Sequence, residues 1–140
     1  MAFLFPGQAS QYVGMGRDIH DQYPHVRQLY EEANDLLEID ITRISFEGPA
    51  ESLKQTQFTQ PAILVHSIAV NYLLSTAGIS PGYVAGHSLG EYSALVAAHS
   101  LNVTDAIKLV RLRSELMHQA GKDQPGTMAV FIGLSPETVD

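Results

Sequence analysis

Tyr83-Val84-Ala85-Gly86-His87-Ser88-Leu89-Gly90-Glu91-Tyr92-Ser93-Ala94 is the stretch on which the fold of this chain turns. Tyr83-Val84-Ala85 is a short β-type run, and a helical stretch follows to about Ala98. Between them, Gly86-His87-Ser88-Leu89-Gly90 fits the G-x-S-x-G nucleophile elbow, a sharp strand-to-helix turn that presents a serine. Such a turn strains the serine backbone and needs small neighbours so that strand and helix can approach; Gly86 and Gly90 supply the space. The helix that follows directs its N-terminal N–H groups at the reaction centre. There they can stabilise an oxyanion formed when Ser88 attacks a carbonyl. A glycine-lined turn that only packs close to a helix would use the same residues, so both readings stand at this point.

On the N-terminal side, Ala2–Phe5 is an apolar run stopped by Pro6-Gly7, which predicts a buried strand running into a loop. Gly14 and Gly16 keep the next stretch irregular. Val26, Leu29, Tyr30, Ala33, Leu36 and Leu37 recur at helical spacing and predict a helix from Tyr23 to Leu37. Gly48-Pro49 can open a short helix over Ala50–Lys54, with Pro49 in its first turn. Thr59-Gln60-Pro61 then introduces an apolar segment, Ala62–Ala77, ended by Gly78 and expected to be an interior helix.

On the C-terminal side, Thr104 can cap a helix over Asp105–Ala120, closed by Gly121. Thr127–Ile132 reads as a strand, and Ser135-Pro136-Glu137 as a fresh helix start. Strands alternating with helices predict an α/β fold with a largely parallel sheet. The sequence stops at Asp140 inside that last helix's first turn, and one turn is unstable alone. It therefore reads as the opening part of a longer chain.

The composition removes several classes of function. Eight Lys and Arg against 15 Asp and Glu leave a net charge of −7, which opposes a broad nucleic-acid surface. The absence of Cys excludes disulfides, thiolate metal sites and a Cys nucleophile. No apolar run reaches the ~18 residues that a membrane span requires. The N-terminus has neither a basic region nor a cleavage pattern, so no signal peptide is expected. The chain reads as soluble and cytoplasmic, and its oligomeric state is not legible.

A nucleophilic serine needs a base, and none of the six His is an obvious partner. His87 is adjacent to Ser88, but neighbours on a tight turn generally point apart. His66 lies in the apolar helix as a packing residue, and His20, His25, His99 and His118 sit on polar stretches and read as solvated. On the predicted helix Asp105–Ala120, the residues Ala106, Leu109, Val110, Leu116, Met117 and Ala120 cluster on one face. Arg113 falls within that apolar stripe, where a guanidinium is costly unless paired. It can serve in an internal salt bridge, perhaps to Glu91, or wait for a substrate carboxylate that it grips through two parallel hydrogen bonds. Arg111 reads as a plain surface charge.

With Ser88 and Arg113 in hand, the chain resembles the malonyl-CoA:acyl carrier protein transacylases, acyltransferases of fatty acid and polyketide synthesis. The resemblance spans the whole sequence. It is carried by Phe5-Pro6-Gly7-Gln8 with Ser10-Gln11 and Gly14-Met15-Gly16, by Thr59-Gln60-Pro61-Ala62, and by Gly86 to Ala94. Val110-Arg111-Leu112-Arg113 and Gly126-Thr127-Met128-Ala129 extend it. The resemblance implies a hydrolase-like α/β core with a parallel sheet and flanking helices. It implies that Ser88 becomes malonylated, that the backbone N–H groups of Gln8 and Leu89 form the oxyanion hole, and that Arg113 binds the malonyl carboxylate. Met117 would line the acyl pocket with Gln60 beside it. Malonyl-CoA and the phosphopantetheine arm of acyl carrier protein would be substrates, with no cofactor and no metal, and with neither nucleic acid nor membrane as partner.

The same resemblance divides the chain into a first part of the core, residues 1–124, and the beginning of a small ferredoxin-like subdomain, residues 125–140. The family's catalytic His lies in a later segment that nothing here matches. The expectation is that these 140 residues lack the base and are inactive alone. Two rival readings use the same residues. One is a serine hydrolase or thioesterase with water as acceptor; the other is a non-catalytic fragment that docks carrier protein.

Overall fold

The computed structural model describes residues 1–126 together with Gly133, Ser135 and Thr138. Strand β1 (Ala2–Phe5) is followed by helices α1 (Arg17–Gln22), α2 (Pro24–Leu37), α3 (Ile41–Glu47), α4 (Ala50–Leu53) and α5 (Thr56–Thr76). Strand β2 (Tyr83–Gly86) and helices α6 (Gly90–Ala97) and α7 (Val103–Asp123) complete the described elements. The two strands pair in parallel, Ala2 opposite Tyr83 and Phe5 opposite Gly86, so the predicted α/β fold with a parallel sheet and flanking helices is found. The register sets the ends of β1 and β2 side by side, and the loop after each strand opens at the same edge.

The apolar segment is the interior helix that its composition predicts: Ala62, Leu64, Val65 and Ala69 are wholly buried. It begins earlier than predicted, at Thr56, with Pro61 inside the helix. Proline has no N–H to give to the carbonyl one turn back, which is why helices usually avoid it there. Here that carbonyl belongs to Gln57, and the hydroxyl of Ser114 on α7, which donates to the Arg111 carbonyl at 2.9 Å, lies 3.4 Å from it. A polar group of a neighbouring helix thus packs beside the carbonyl that Pro61 leaves free.

Helix α7 also differs from its prediction. Asn102 is the cap, its side chain accepting from the Asp105 N–H at 2.8 Å, and Gly121 lies within the helix. The buried residues are Ala106, Ile107, Val110 and Ser114, whereas Leu109 and Leu116 are 46% and 61% exposed. The periodicity is right and its phase is rotated, because the arc that meets α5 includes a serine. Arg113 therefore stands at the border of the buried arc rather than in its middle. Replacing Asn102 by alanine is expected to cost about 1 kcal/mol in denaturant unfolding, and Thr104→Ala close to nothing.

Helices α1 and α3 were not predicted. The N-cap of α3, Asp40, accepts from the Arg43 N–H at 2.9 Å, and the helix buries Ile41, Ile44 and Phe46. His20 on α1 is not simply solvated, since its ring lies edge-on to Phe46 at 5.0 Å. Arg111 is likewise no lone surface charge: it donates to Glu38 at 2.8 Å and to the Leu36 carbonyl at 3.1 Å, tying α7 to the end of α2. The strand expected over 127–132 lies outside the described residues, as do Pro136 and Glu137 of the expected helix start. No described helix is long and apolar enough to cross a membrane.

Candidate active site

Ser88 has φ 54°, a left-handed backbone that non-glycine residues adopt at a cost of about 1–3 kcal/mol. The elbow is held by its hydrogen bonds. The His87 N–H extends the sheet ladder to the Phe5 carbonyl at 3.1 Å, and the Gly90 N–H closes the turn on the His87 carbonyl at 2.9 Å. A Cβ on Gly86 would lie under 3.0 Å from the Gly90 carbonyl group, and one on Gly90 under 3.0 Å from the carbonyl oxygens of Phe5 and Pro6. The glycines are therefore contact points of strand and helix, and the turn they permit lifts Ser88 to the surface.

The loop after β1 rests on this elbow. A Cβ on Gly7 would meet the His87 carbonyl oxygen at 2.8 Å and Nδ1 of its ring at 2.9 Å, so His87 packs against the loop. Ala9 also has a left-handed backbone, φ 82°, fixed by two local bonds. Its N–H donates to Gln11 Oε1 at 2.8 Å, and the Ser10 hydroxyl donates to the Gly7 carbonyl at 2.8 Å. Neither the Gln8 nor the Leu89 backbone N–H has an acceptor among the described residues.

Arg113 reaches Ser88 from α7. Its Nη2 donates to Ser88 Oγ at 2.9 Å and its Nη1 to Gln60 Oε1 at 2.6 Å. The guanidinium carbon stands 5.8 Å from the centre of the Tyr92 ring on α6. No carboxylate pairs with Arg113 among the described residues, so a bridge to Glu91 does not form. Gln60 is wholly buried, and its Nε2 faces both Gln8 Oε1 at 3.1 Å and Met117 Sδ at 3.2 Å. Gln8 Nε2 in turn donates to Thr56 Oγ1 at 3.3 Å.

All six residues singled out in the sequence thus lie together: Ser88 and Leu89 on the elbow, Gln8 on the facing loop, Gln60 on α5, and Arg113 and Met117 one turn apart on α7. Two residues of the site had been missed. Tyr92 lies within a motif read for its serine and glycines, and Thr56 lies in a polar run that gave no sign of a helix start. The arrangement offers a hydroxyl, two free N–H groups and a cation without its counterion. Those parts suit attack on a carbonyl compound that carries a negative charge.

No His donates to or accepts from Ser88 Oγ among the described residues. His66, beside Gly16, has no partner for its Nδ1, and burial holds its pKa below the usual value. The unfolded chain therefore takes up a proton near pH ~6.5 that the folded chain resists. Stability should be full above that pH and fall as acid is added below it. His66→Gln should flatten this part of the dependence of melting temperature on pH.

A family model described as an acyl transferase domain matches residues 2–138. The malonyl CoA-acyl carrier protein transacylase of Bacillus subtilis (strain 168) is 47% identical over 139 residues, 99% of this chain and 44% of the relative. The crystal structure of an acyl-carrier-protein S-malonyltransferase from Bartonella henselae superimposes with a TM-score of 0.85 at 40% identity, covering 99% of this chain and 45% of that one. A malonyl-transacylase solved in complex with a type II PKS acyl-carrier protein gives 0.80 at 45% identity, over 85% of this chain and 39% of that one. The chain thus spans less than half the length of the relatives it matches.

Proposed function

The chain belongs to the acyl transferase domain family, and within that family we propose that it carries the acyl-holding part of a malonyl-CoA:acyl carrier protein transacylase. One observation supports this above the others. Arg113 is bonded to Ser88 Oγ at 2.9 Å and to no carboxylate among the described residues, so its counterion is free to be the acyl group. A malonyl carboxylate satisfies it in the two-bond geometry that guanidinium favours.

In the proposed reaction Ser88 Oγ attacks the thioester carbonyl of malonyl-CoA. The oxyanion is held by the N–H groups of Gln8 and Leu89 until the C–S bond breaks and coenzyme A leaves as the thiol. The phosphopantetheine thiol of the carrier protein then attacks the malonyl ester, releasing Ser88 with its proton restored. Coenzyme A and the carrier arm enter and leave as substrates, so the reaction uses no separate cofactor. The Ser88 proton passes to a base, which we assign to a His outside the described residues, since no described His reaches Ser88. We also retain the division into a core portion, residues 1–124, and the opening of a small subdomain, residues 125–140. Of the cations Lys108, Arg111 and Lys122 on α7, Arg111 is already engaged by Glu38 and Glu115, whereas Lys108 and Lys122 are exposed.

Mixed with malonyl-CoA, the natural-length protein is expected to gain one malonyl group, mapped to Ser88 by peptide mass, and to pass it to holo carrier protein. Residues 1–140 alone should transfer at no measurable rate. Transfer by that piece at an ordinary rate would refute the outside base, and labelling of a residue other than Ser88 would refute the mechanism. A hydrolase would instead release malonate with no dependence on the carrier thiol.

A further inference from the structure

We propose that the side chain of Gln8 and the hydroxyl of Thr56 are positioning residues for Arg113. They make the loop bearing the Gln8 N–H and the carboxylate anchor one hydrogen-bonded unit. The inference rests on the transacylase reading above and concerns how its selectivity for a charged acyl group is built.

Donor and acceptor chemistry fixes the direction of every bond in the chain. A guanidinium only donates, so Gln60 must turn its carbonyl oxygen to Arg113, where the contact is 2.6 Å. That leaves the Gln60 amide nitrogen facing Gln8 at 3.1 Å, which requires the Gln8 carbonyl oxygen there. The Gln8 amide nitrogen is then left for Thr56, whose hydroxyl oxygen accepts at 3.3 Å. Turning over Gln60 sets like against like at Arg113 and at Gln8, and turning over Gln8 sets two amide nitrogens together. For wholly buried Gln60 no water can repair the error. Thr56, in the first turn of α5, is the end of the chain, and its hydroxyl, which can accept or donate, holds the Gln8 amide in the orientation that Gln60 selects.

A functional consequence follows from where Gln8 sits. Its side chain reports to Arg113 through Gln60, and its backbone N–H, which has no acceptor among the described residues, is the one that the proposed mechanism assigns to the oxyanion. A carboxylate that draws Arg113 toward itself pulls on the same residue that would stabilise the oxyanion. Tyr92 limits the motion on another side, its ring lying against the guanidinium. Acyl groups with no carboxylate lack this connection, and the relay should not affect how they bind.

The test uses purified natural-length protein carrying Ser88→Ala, so that binding is read without chemistry, and compares the Kd of malonyl-CoA with that of acetyl-CoA by calorimetry. With the relay intact, malonyl-CoA should bind at least about tenfold more tightly, as expected for a charge-assisted contact. Adding Thr56→Val or Gln8→Met should cut that preference by about three- to tenfold, the effect of one ordinary hydrogen bond. Thr56→Ser, which keeps the acceptor, should restore the preference. If both variants keep the full preference, or weaken the two thioesters equally, the positioning role is overturned while the transacylase reading stands. Equal binding of the two thioesters before either variant is introduced would refute that reading and this inference together.

Discussion

Arg113→Ala is expected to lower malonyl transfer by about 10²–10³-fold in kcat/KM while leaving acetyl transfer equal or faster. Truncating one partner of a hydrogen-bonded charge pair at a binding site commonly costs 2–5 kcal/mol, and each ~1.4 kcal/mol is a factor of ten. The loss falls mainly on the charged acyl group, because the other partners of Arg113 are Ser88, Gln60 and the ring of Tyr92. In the free site its Nη2 donates to Ser88 Oγ at 2.9 Å, occupying a lone pair of the nucleophile. A malonyl carboxylate takes that donor for itself and frees the hydroxyl, whereas an acetyl group cannot. Removing the guanidinium therefore takes the grip from malonyl and the restraint from Ser88 in one change. Arg113→Lys should fall between, since one ammonium cannot hold the Gln60 carbonyl and a carboxylate in the geometry of a planar fork. Steady-state rates with the two thioesters decide the matter, and an equal fall with both would assign Arg113 a structural role.

How much of this was legible in the sequence depended on distance along the chain. The elbow was legible because its requirements are local: a strand, two small residues around a serine, and a helix within a dozen positions. The core helix α5 was legible from its apolar run, but its start was not. The signal there is Pro61, which read as a first-turn residue. The structure places it inside the helix, where the hydroxyl of Ser114, far away in sequence, packs beside the freed Gln57 carbonyl. The phase of α7 failed for a related reason. Hydrophobicity alone put Leu109 and Leu116 inside, whereas packing against α5 selected an arc that contains Ser114.

Arg113 shows the limit most clearly. Its burial conflict was visible, yet its resolution by Gln60 and Ser88 needed two helices and a turn to meet. Gln8, Leu89, Gln60 and Met117 were placed by resemblance to a family. No pattern in this one sequence would have singled out a glutamine whose value lies in the orientation of its amide.

Gly90→Ala is the substitution expected to do most harm to the fold around the site, and Gly121→Ala is its control. The methyl added at Gly90 would stand under 3.0 Å from the carbonyl oxygens of Phe5 and Pro6. These are backbone atoms at the end of a strand, with no rotamer to give way. Overpacking usually costs 1–3 kcal/mol where side chains can shift, so about 3 kcal/mol or more is expected here. At Gly121 no atom lies within 4 Å and the residue is helical, so alanine there should stabilise by up to about 1 kcal/mol. The two changes add the same methyl group, and only the room around it differs. The harm at Gly90 also has a direction. Relief requires Phe5 and Pro6 to move away from the elbow, and they carry Gly7 and Gln8 with them. On the proposed mechanism, protein that still folds should therefore bind malonyl-CoA through Arg113 and yet acylate Ser88 slowly, because the Gln8 N–H would be drawn away from the carbonyl. Denaturant midpoints give the first comparison, and single-turnover acylation beside thioester binding gives the second. Binding and acylation falling in step would show that β1 and the elbow move as one body, and that the two glycines position nothing separately from the fold.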